Sequence, residues 1–126
     1  MNNLNALNAY QSNSVNTASR EKLLIMLLDG LVKFVRQGVI GIEEKNIKKS
    51  NENLKKGQGI ILELQSTLDL KRGGEIAYSL NLLYDYIYRR LVECNIKKDL
   101  DIANECLEFC IEIRDTFQEA YKSLKK

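Results

Sequence analysis

The sequence predicts an all-α fold: an antiparallel up-down-up-down four-helix bundle with a short N-terminal helical or extended cap segment. Three observations predict it. The 126-residue chain has no proline and only seven glycines, which long helices tolerate and a turn-rich β fold does not. Four stretches repeat apolar residues at alternating three- and four-residue spacing, the period of a helix buried along one side. Short polar connections separate these stretches, so consecutive helices run antiparallel. With 44% hydrophobic and 29% charged residues, one domain with its own core is expected, without help from a disulfide or metal.

Residues 1–16 form the expected cap segment and residues 17–126 the bundle. The cap is rich in asparagine and spaces Leu4, Leu7 and Tyr10 by three. One or two such turns do not persist alone, so the segment has to dock on the body. The first helix is expected over 19–42. Ser19 is a good N-cap and Glu21 then faces the positive helix end. Leu24, Leu27, Leu31, Phe34 and Val35 share one side, and Ile25, Met26, Val32 and Val39 widen that side. The apolar arc exceeds the stripe of about 100° or more that a surface helix shows, so this helix needs cover from several neighbours. Gly30, Gly38 and Gly41 lower helix propensity and mark close crossings.

The second helix is expected over 47–70, with a seam of Ile47, Leu54, Gly57, Ile61, Leu64 and Leu68 that Ile60 and Leu62 widen. It should end before Lys71-Arg72-Gly73-Gly74, where cations and glycine suit a helix C-terminus. The third is expected over 75–95, with Ala77, Leu80, Tyr84, Ile87, Leu91 and Cys94 as its seam. A second stripe lies opposite, in Tyr78, Leu82 and Tyr86. The fourth is expected over 99–122, capped by Asp99, with Ala103, Cys106, Cys110, Ile113, Phe117, Ala120 and Leu124 inward. Ile102, Leu107, Phe109 and Ile111 are its surplus.

Several chemistries are excluded or unsupported. Without histidine there is no His-based triad, no di-iron Glu-x-x-His site and no ordinary zinc set. No glycine loop has the flanking pattern that cradles phosphate. No catalytic residue, cofactor or metal ligand is therefore assigned, and the chain reads as a binding protein rather than an enzyme. A net charge of +2, with lysine pairs interleaved by acids, argues against nucleic acid or a membrane surface as partner. No run is long enough to insert in a membrane. Three cysteines, an odd number without a CxxC pair, fit the reducing cytosol, and no signal peptide is expected. Cys106 and Cys110, one turn apart on the seam, read as small buried hydrophobes. Arg89-Arg90 reads as a solvated edge, with Asp85 and Arg89 spaced to pair.

A longer pattern runs from Ala9 to Phe117. It comprises Ala9-Tyr10-Gln11, Val15-x-Thr17-Ala18-Ser19, Glu21-Lys22-Leu23-Leu24-x-Met26-Leu27, Asp29-Gly30, Asn53-Leu54 and Ile60-Ile61-x-Glu63-Leu64. Gly73-Gly74-Glu75-Ile76-Ala77 follows, then Leu80, Leu83-Tyr84-Asp85-Tyr86 and Arg89-Arg90-Leu91. In this order the pattern resembles the FliS family of flagellar secretion chaperones. The family usually has proline where Arg20 stands, at a first-turn position where proline is favoured but replaceable, and often tyrosine where Leu28 stands.

The resemblance implies a helical bundle in the bacterial cytosol that binds the C-terminal segment of flagellin, prevents its polymerisation and presents it to the export-gate component FlhA. It implies a monomer when client-bound. It also implies that the cap segment (Leu4, Leu7, Ala9, Tyr10, Gln11) covers part of the apolar surface in the free protein. Since four helices all carry surplus apolar residues, a client groove is expected on the second and third helices. Its candidate residues are Ile61, Leu64, Leu68, Ile76, Leu83 and Ile87 together with Tyr10; some of these belong to the core, and the pattern does not sort them. The alternative is a structural or adaptor bundle that self-associates through the same stripes.

Overall fold

The computed structural model describes residues 20–125 and builds them into four helices: α1 (Arg20–Glu43), α2 (Ile47–Ser66), α3 (Gly74–Lys97) and α4 (Leu100–Lys125). Each packs laterally on two others, α1 on α2 and α4, and α3 on α2 and α4. That closed ring and the short turns give the all-α bundle. The expected cap segment and the Ser19 cap lie outside the described residues.

The core forms along the seams. Leu28, Leu31, Val35, Leu54, Ile61, Leu64, Tyr84, Ile87, Leu91, Cys94, Cys106 and Cys110 are all buried. Each large side chain of this kind contributes about 1.5–3 kcal/mol by leaving water. α1 supplies a broad share of this core, as its wide arc requires, while Met26 at the edge of the arc stays exposed. α1 and α2 approach most closely, and glycine permits it. A methyl group at Gly38 would lie 2.5 Å from Leu54, and one at Gly41 2.6 Å from the Ser50 nitrogen.

Side chains and left-handed residues set the turns. Lys45 (φ 58°) closes α1, with the Lys45 and Asn46 N–H groups donating to Ile42 and Gly41 carbonyls at 3.0 and 2.8 Å. This pair of bonds is the usual satisfaction of a helix C-terminus. Asn46 then caps α2 by accepting from Lys49 N at 3.0 Å. Asp99 caps α4 in the expected way, accepting from Ile102 N at 3.1 Å.

The second helix ends at Ser66, four residues short of the expected 70. Ser66 and Thr67 hydroxyls donate back to the Glu63 and Leu64 carbonyls, each at 2.6 Å. Asp69 then accepts from the Lys71 and Arg72 nitrogens at 3.2 and 3.1 Å, folding a turn that helix would otherwise occupy. The glycine pair opens α3 rather than ending α2. Gly74 adopts φ 57°, and Gly73 sits where a methyl group would meet Ala77 Cβ at 2.5 Å.

Candidate functional site

The outer faces of α2 and α3 carry the candidate surface, and helical spacing puts it there. On α2, Leu54, Gly57, Ile61 and Leu64 point inward. Leu62, one residue past Ile61, is turned about 100° from it and is 51% exposed. On α3 the inward set is Ala77, Tyr84, Ile87, Leu91 and Cys94. Tyr78 and Leu82 lie opposite, 60% and 53% exposed. Ile76, in the first turn of α3, is 82% exposed. Gly59 adds a notch to the outer side of α2, with nothing within 4 Å of the place a Cβ would occupy.

Of the expected groove residues, Ile61, Leu64 and Ile87 are fully buried among the other helices. They are seam positions and belong to the core, so they present no surface to a partner. Leu68 and Leu83 are partly buried against the core, and Ile76 is open to solvent. Tyr10 lies outside the described residues, as do Leu4, Leu7, Ala9 and Gln11. Leu62, Tyr78 and Leu82, surplus to the seams in the sequence, are apolar side chains that the fold leaves outside. Ile96 is exposed as well and belongs to none of the expected stripes; its one signal in the sequence is that it falls off the phase of the Leu91–Cys94 seam.

Polar contacts fix how the helices stand to one another. Asn95 Nδ2 donates to Asn51 Oδ1 at 2.9 Å, and Gln65 Nε2 to Asn81 Oδ1 at 3.2 Å. These two pairs set the antiparallel register of α2 and α3. Asp85 pairs with Arg89 at 3.2 Å on the surface. Arg90 does not share that solvated edge. It crosses to α4, with Nε 3.2 Å from Glu105 and Nη1 2.8 Å from Glu93. Tyr86 joins it, donating to Glu105 at 3.2 Å and meeting Phe109 edge-to-face at 5.9 Å. Part of the second stripe of α3 is thus taken up by the α3–α4 seam. Partial burial, and after it the charge of Lys55, hold the Lys98 ammonium below the usual lysine range.

Near the start of α1, an open cleft of about 540 Å³ lies against the end of α4, lined by Lys22, Ile25, Met26, Asp29, Gln118 and Tyr121 among others. Among the described residues no group of three or more His, Cys, Asp or Glu side chains could hold a metal ion. No described helix is long and apolar enough to cross a membrane.

By fold and surface, this is a small all-α bundle with a closed core and large apolar side chains left exposed, most of them on α2 and α3. The chain belongs to the flagellar protein FliS family, whose model matches residues 2–124. A flagellar secretion chaperone FliS of Bacillus subtilis (strain 168) is 43% identical over 122 residues, covering 97% of this chain and 90% of the relative. One from Vibrio cholerae is 31% identical over 118 residues, covering 90% and 87%. One from Campylobacter jejuni is 30% identical, covering 97% and 94%. Membership supports a chaperone role in flagellar export.

Proposed function

We propose that the chain is a cytosolic chaperone of flagellar type III export that binds the C-terminal helical segment of flagellin. It prevents premature polymerisation and aids delivery of the subunit to the gate component FlhA, and it is monomeric with its client bound. The observation that carries this reading is the exposure of Leu62, Tyr78, Leu82 and Ile76 on a bundle whose core is already closed, in a chain of the FliS family.

The mechanism is steric. An amphipathic client segment folds against α2 and α3 and buries the face it would use in the filament. Ordering such a segment costs about 2–5 kcal/mol or more, so it needs an extended apolar surface in return. No nucleotide or cofactor enters this scheme, and the export machinery unloads the client. Residues 1–16, with Tyr10 as anchor, cover part of the surface in the free protein. Deleting them should change client affinity more than it changes the melting temperature.

Calorimetric titration with a peptide of flagellin's last ~40 residues, the length of a helical hairpin, tests the reading. The wild-type chain should bind it. A Tyr78→Lys/Leu82→Lys variant should keep its melting temperature and lose about ten-fold or more in affinity, the equivalent of one buried apolar side chain. Absence of binding, or equal binding by the variant, would sink the reading. A stable homo-oligomer in light scattering would favour a self-associating adaptor instead.

A further inference from the structure

The solvent side of α3 carries a stripe that is symmetrical end to end. Ala77, Tyr84, Ile87, Leu91 and Cys94 point inward. On the outer side, Tyr78, Leu82, Asp85, Arg89, Val92 and Ile96 follow one another at alternating spacings of four and three. That is the spacing of a helix that pairs with another helix. Tyr78, Leu82 and Ile96 are exposed, and Val92 is half-buried. Asp85 and Arg89 are exposed and stand 3.2 Å apart. The bonds from α3 to its neighbours leave from other positions: Asn81 and Asn95 reach α2, and Tyr86 and Arg90 reach α4. The stripe mirrors itself about the level of Ile87. Asp85 and Arg89 lie two residues from it on either side, Leu82 and Val92 five, and Tyr78 and Ile96 nine.

Such a stripe is complementary to a second copy of itself turned end for end. The antiparallel copy sets Tyr78 against the partner's Ile96, Leu82 against the partner's Val92 and Asp85 against the partner's Arg89, and the two-fold axis makes each contact twice. A parallel copy would set Asp85 beside the partner's Asp85 and Arg89 beside the partner's Arg89, and like-charge repulsion opposes it. We propose that two copies of the free chain pair antiparallel through this face of α3, with an apolar cluster at each end and the charges crossing between copies in the middle. One helix pair over roughly 27 Å stays under the roughly 1,200 Å² at which stable specific interfaces begin. The pairing is therefore weak and reversible, unlike the stable oligomer of an adaptor. Tyr78 and Leu82 also belong to the surface assigned to the client, so client and second copy exclude each other. That exclusion rests on the chaperone reading; the interface itself does not.

Sedimentation velocity of the full chain without client reads the pairing, and a monomer–dimer equilibrium should appear between about 1 µM and 1 mM. Asp85→Lys, and separately Arg89→Glu, brings like charges together across the axis and should weaken the pairing about ten-fold or more. An equal mixture of the two variant chains meets with opposite charges and should pair within about three-fold of wild type, which also shows that both variants are folded. Direction is read by crosslinking with diamide as oxidant. Tyr78→Cys chains mixed with Ile96→Cys chains should form an interchain disulfide that neither variant forms alone; the three native cysteines are buried. A saturating flagellin C-terminal peptide should convert the wild-type dimer to a one-to-one complex. A chain that stays monomeric throughout, or single charge variants that pair as wild type does, overturns the interface and leaves the chaperone reading in place. Crosslinking of each cysteine variant with itself overturns the antiparallel order. A dimer that binds the peptide without dissociating overturns the exclusion. A chain that pairs as described but does not bind the peptide overturns the chaperone reading and leaves the interface standing.

Discussion

A methyl group at Gly41 would stand 2.6 Å from the Ser50 amide nitrogen and 2.9 Å from its Cα. Those are backbone atoms of the facing helix and cannot swing aside. Gly41→Ala should therefore destabilise the bundle by about 1–3 kcal/mol, the usual penalty of overpacking. Gly59 has nothing within 4 Å of its missing side chain. Gly59→Ala should stabilise by about 0.5–1 kcal/mol, because alanine loses less backbone entropy in a helix. Urea denaturation of both variants checks the pair; an undiminished midpoint for Gly41→Ala, or a lowered one for Gly59→Ala, would mean that the glycine concerned is not placed as described. At this scale the sequence was partly legible. Glycine inside a helical pattern marks a cost, but only the neighbouring backbone says whether a close crossing compensates it. The same limit applied to Ile61, Leu64 and Ile87. Their spacing said that they face one side, and the other three helices turned that side into core. Arg90 read as half of a solvated pair because its partner Glu105 lies on a different helix.

Among the elements, the connection from α2 to α3 departs most from the pattern. Spacing carried α2 through Leu68, since Leu68 continues the seam. Side-chain oxygens of Ser66, Thr67 and Asp69 won the local competition for backbone groups and ended the helix earlier. The chain then enters α3 through Gly74 at φ 57°, a left-handed conformation that costs other residues about 1–2 kcal/mol. Gly74→Ala should lower stability by that amount in thermal or urea unfolding, with client binding retained at temperatures where the variant is folded. An unchanged midpoint would show that the turn does not need the left-handed residue. The other two turns were more legible. Asp99 met its capping role, and Asn46 closes the expected 43–46 connection, because a cap acts within one turn of its own helix.

Across the whole molecule, burial of the three thiols couples the bundle to alkaline pH. Burial pushes Cys94 from the ordinary 9.0 up to about 11 and Cys110 up to about 12. It raises Cys106 and the Tyr84 hydroxyl too. In the unfolded chain these thiols ionise near the ordinary value; in the folded chain they stay protonated well above it. Stability from this source is complete below about pH 9 and falls as pH rises through the folded values. Denaturation midpoints should hold steady near neutrality and decline between about pH 9 and 12. Glu93 acts in the opposite direction, since Lys97 and Arg90 hold its carboxyl below 4.5, and its contribution fades as pH falls toward that lowered value. Thiol labelling at about pH 8 without denaturant should be slow for all three cysteines, since buried, protonated thiols are poor nucleophiles. Rapid modification would contradict a closed core.

The sequence by itself determined the helices, their order and most of the positions that face inward, though Ile47, expected on the second seam, and Ala120, expected on the fourth, are exposed. Those are matters of period, propensity and capping, written within one or two turns of chain. Family membership was legible in the same way, as a string of residues in order. Only the tertiary structure decided which apolar residues remain outside. Ile61 and Leu62 are adjacent residues of similar hydrophobicity, yet one is core and the other surface. Their difference is a rotation about the helix axis, which acquires meaning only when α3 stands beside α2 in a fixed register. That register is carried by the Asn51–Asn95 and Gln65–Asn81 pairs, contacts between residues far apart in the chain that no local pattern could announce.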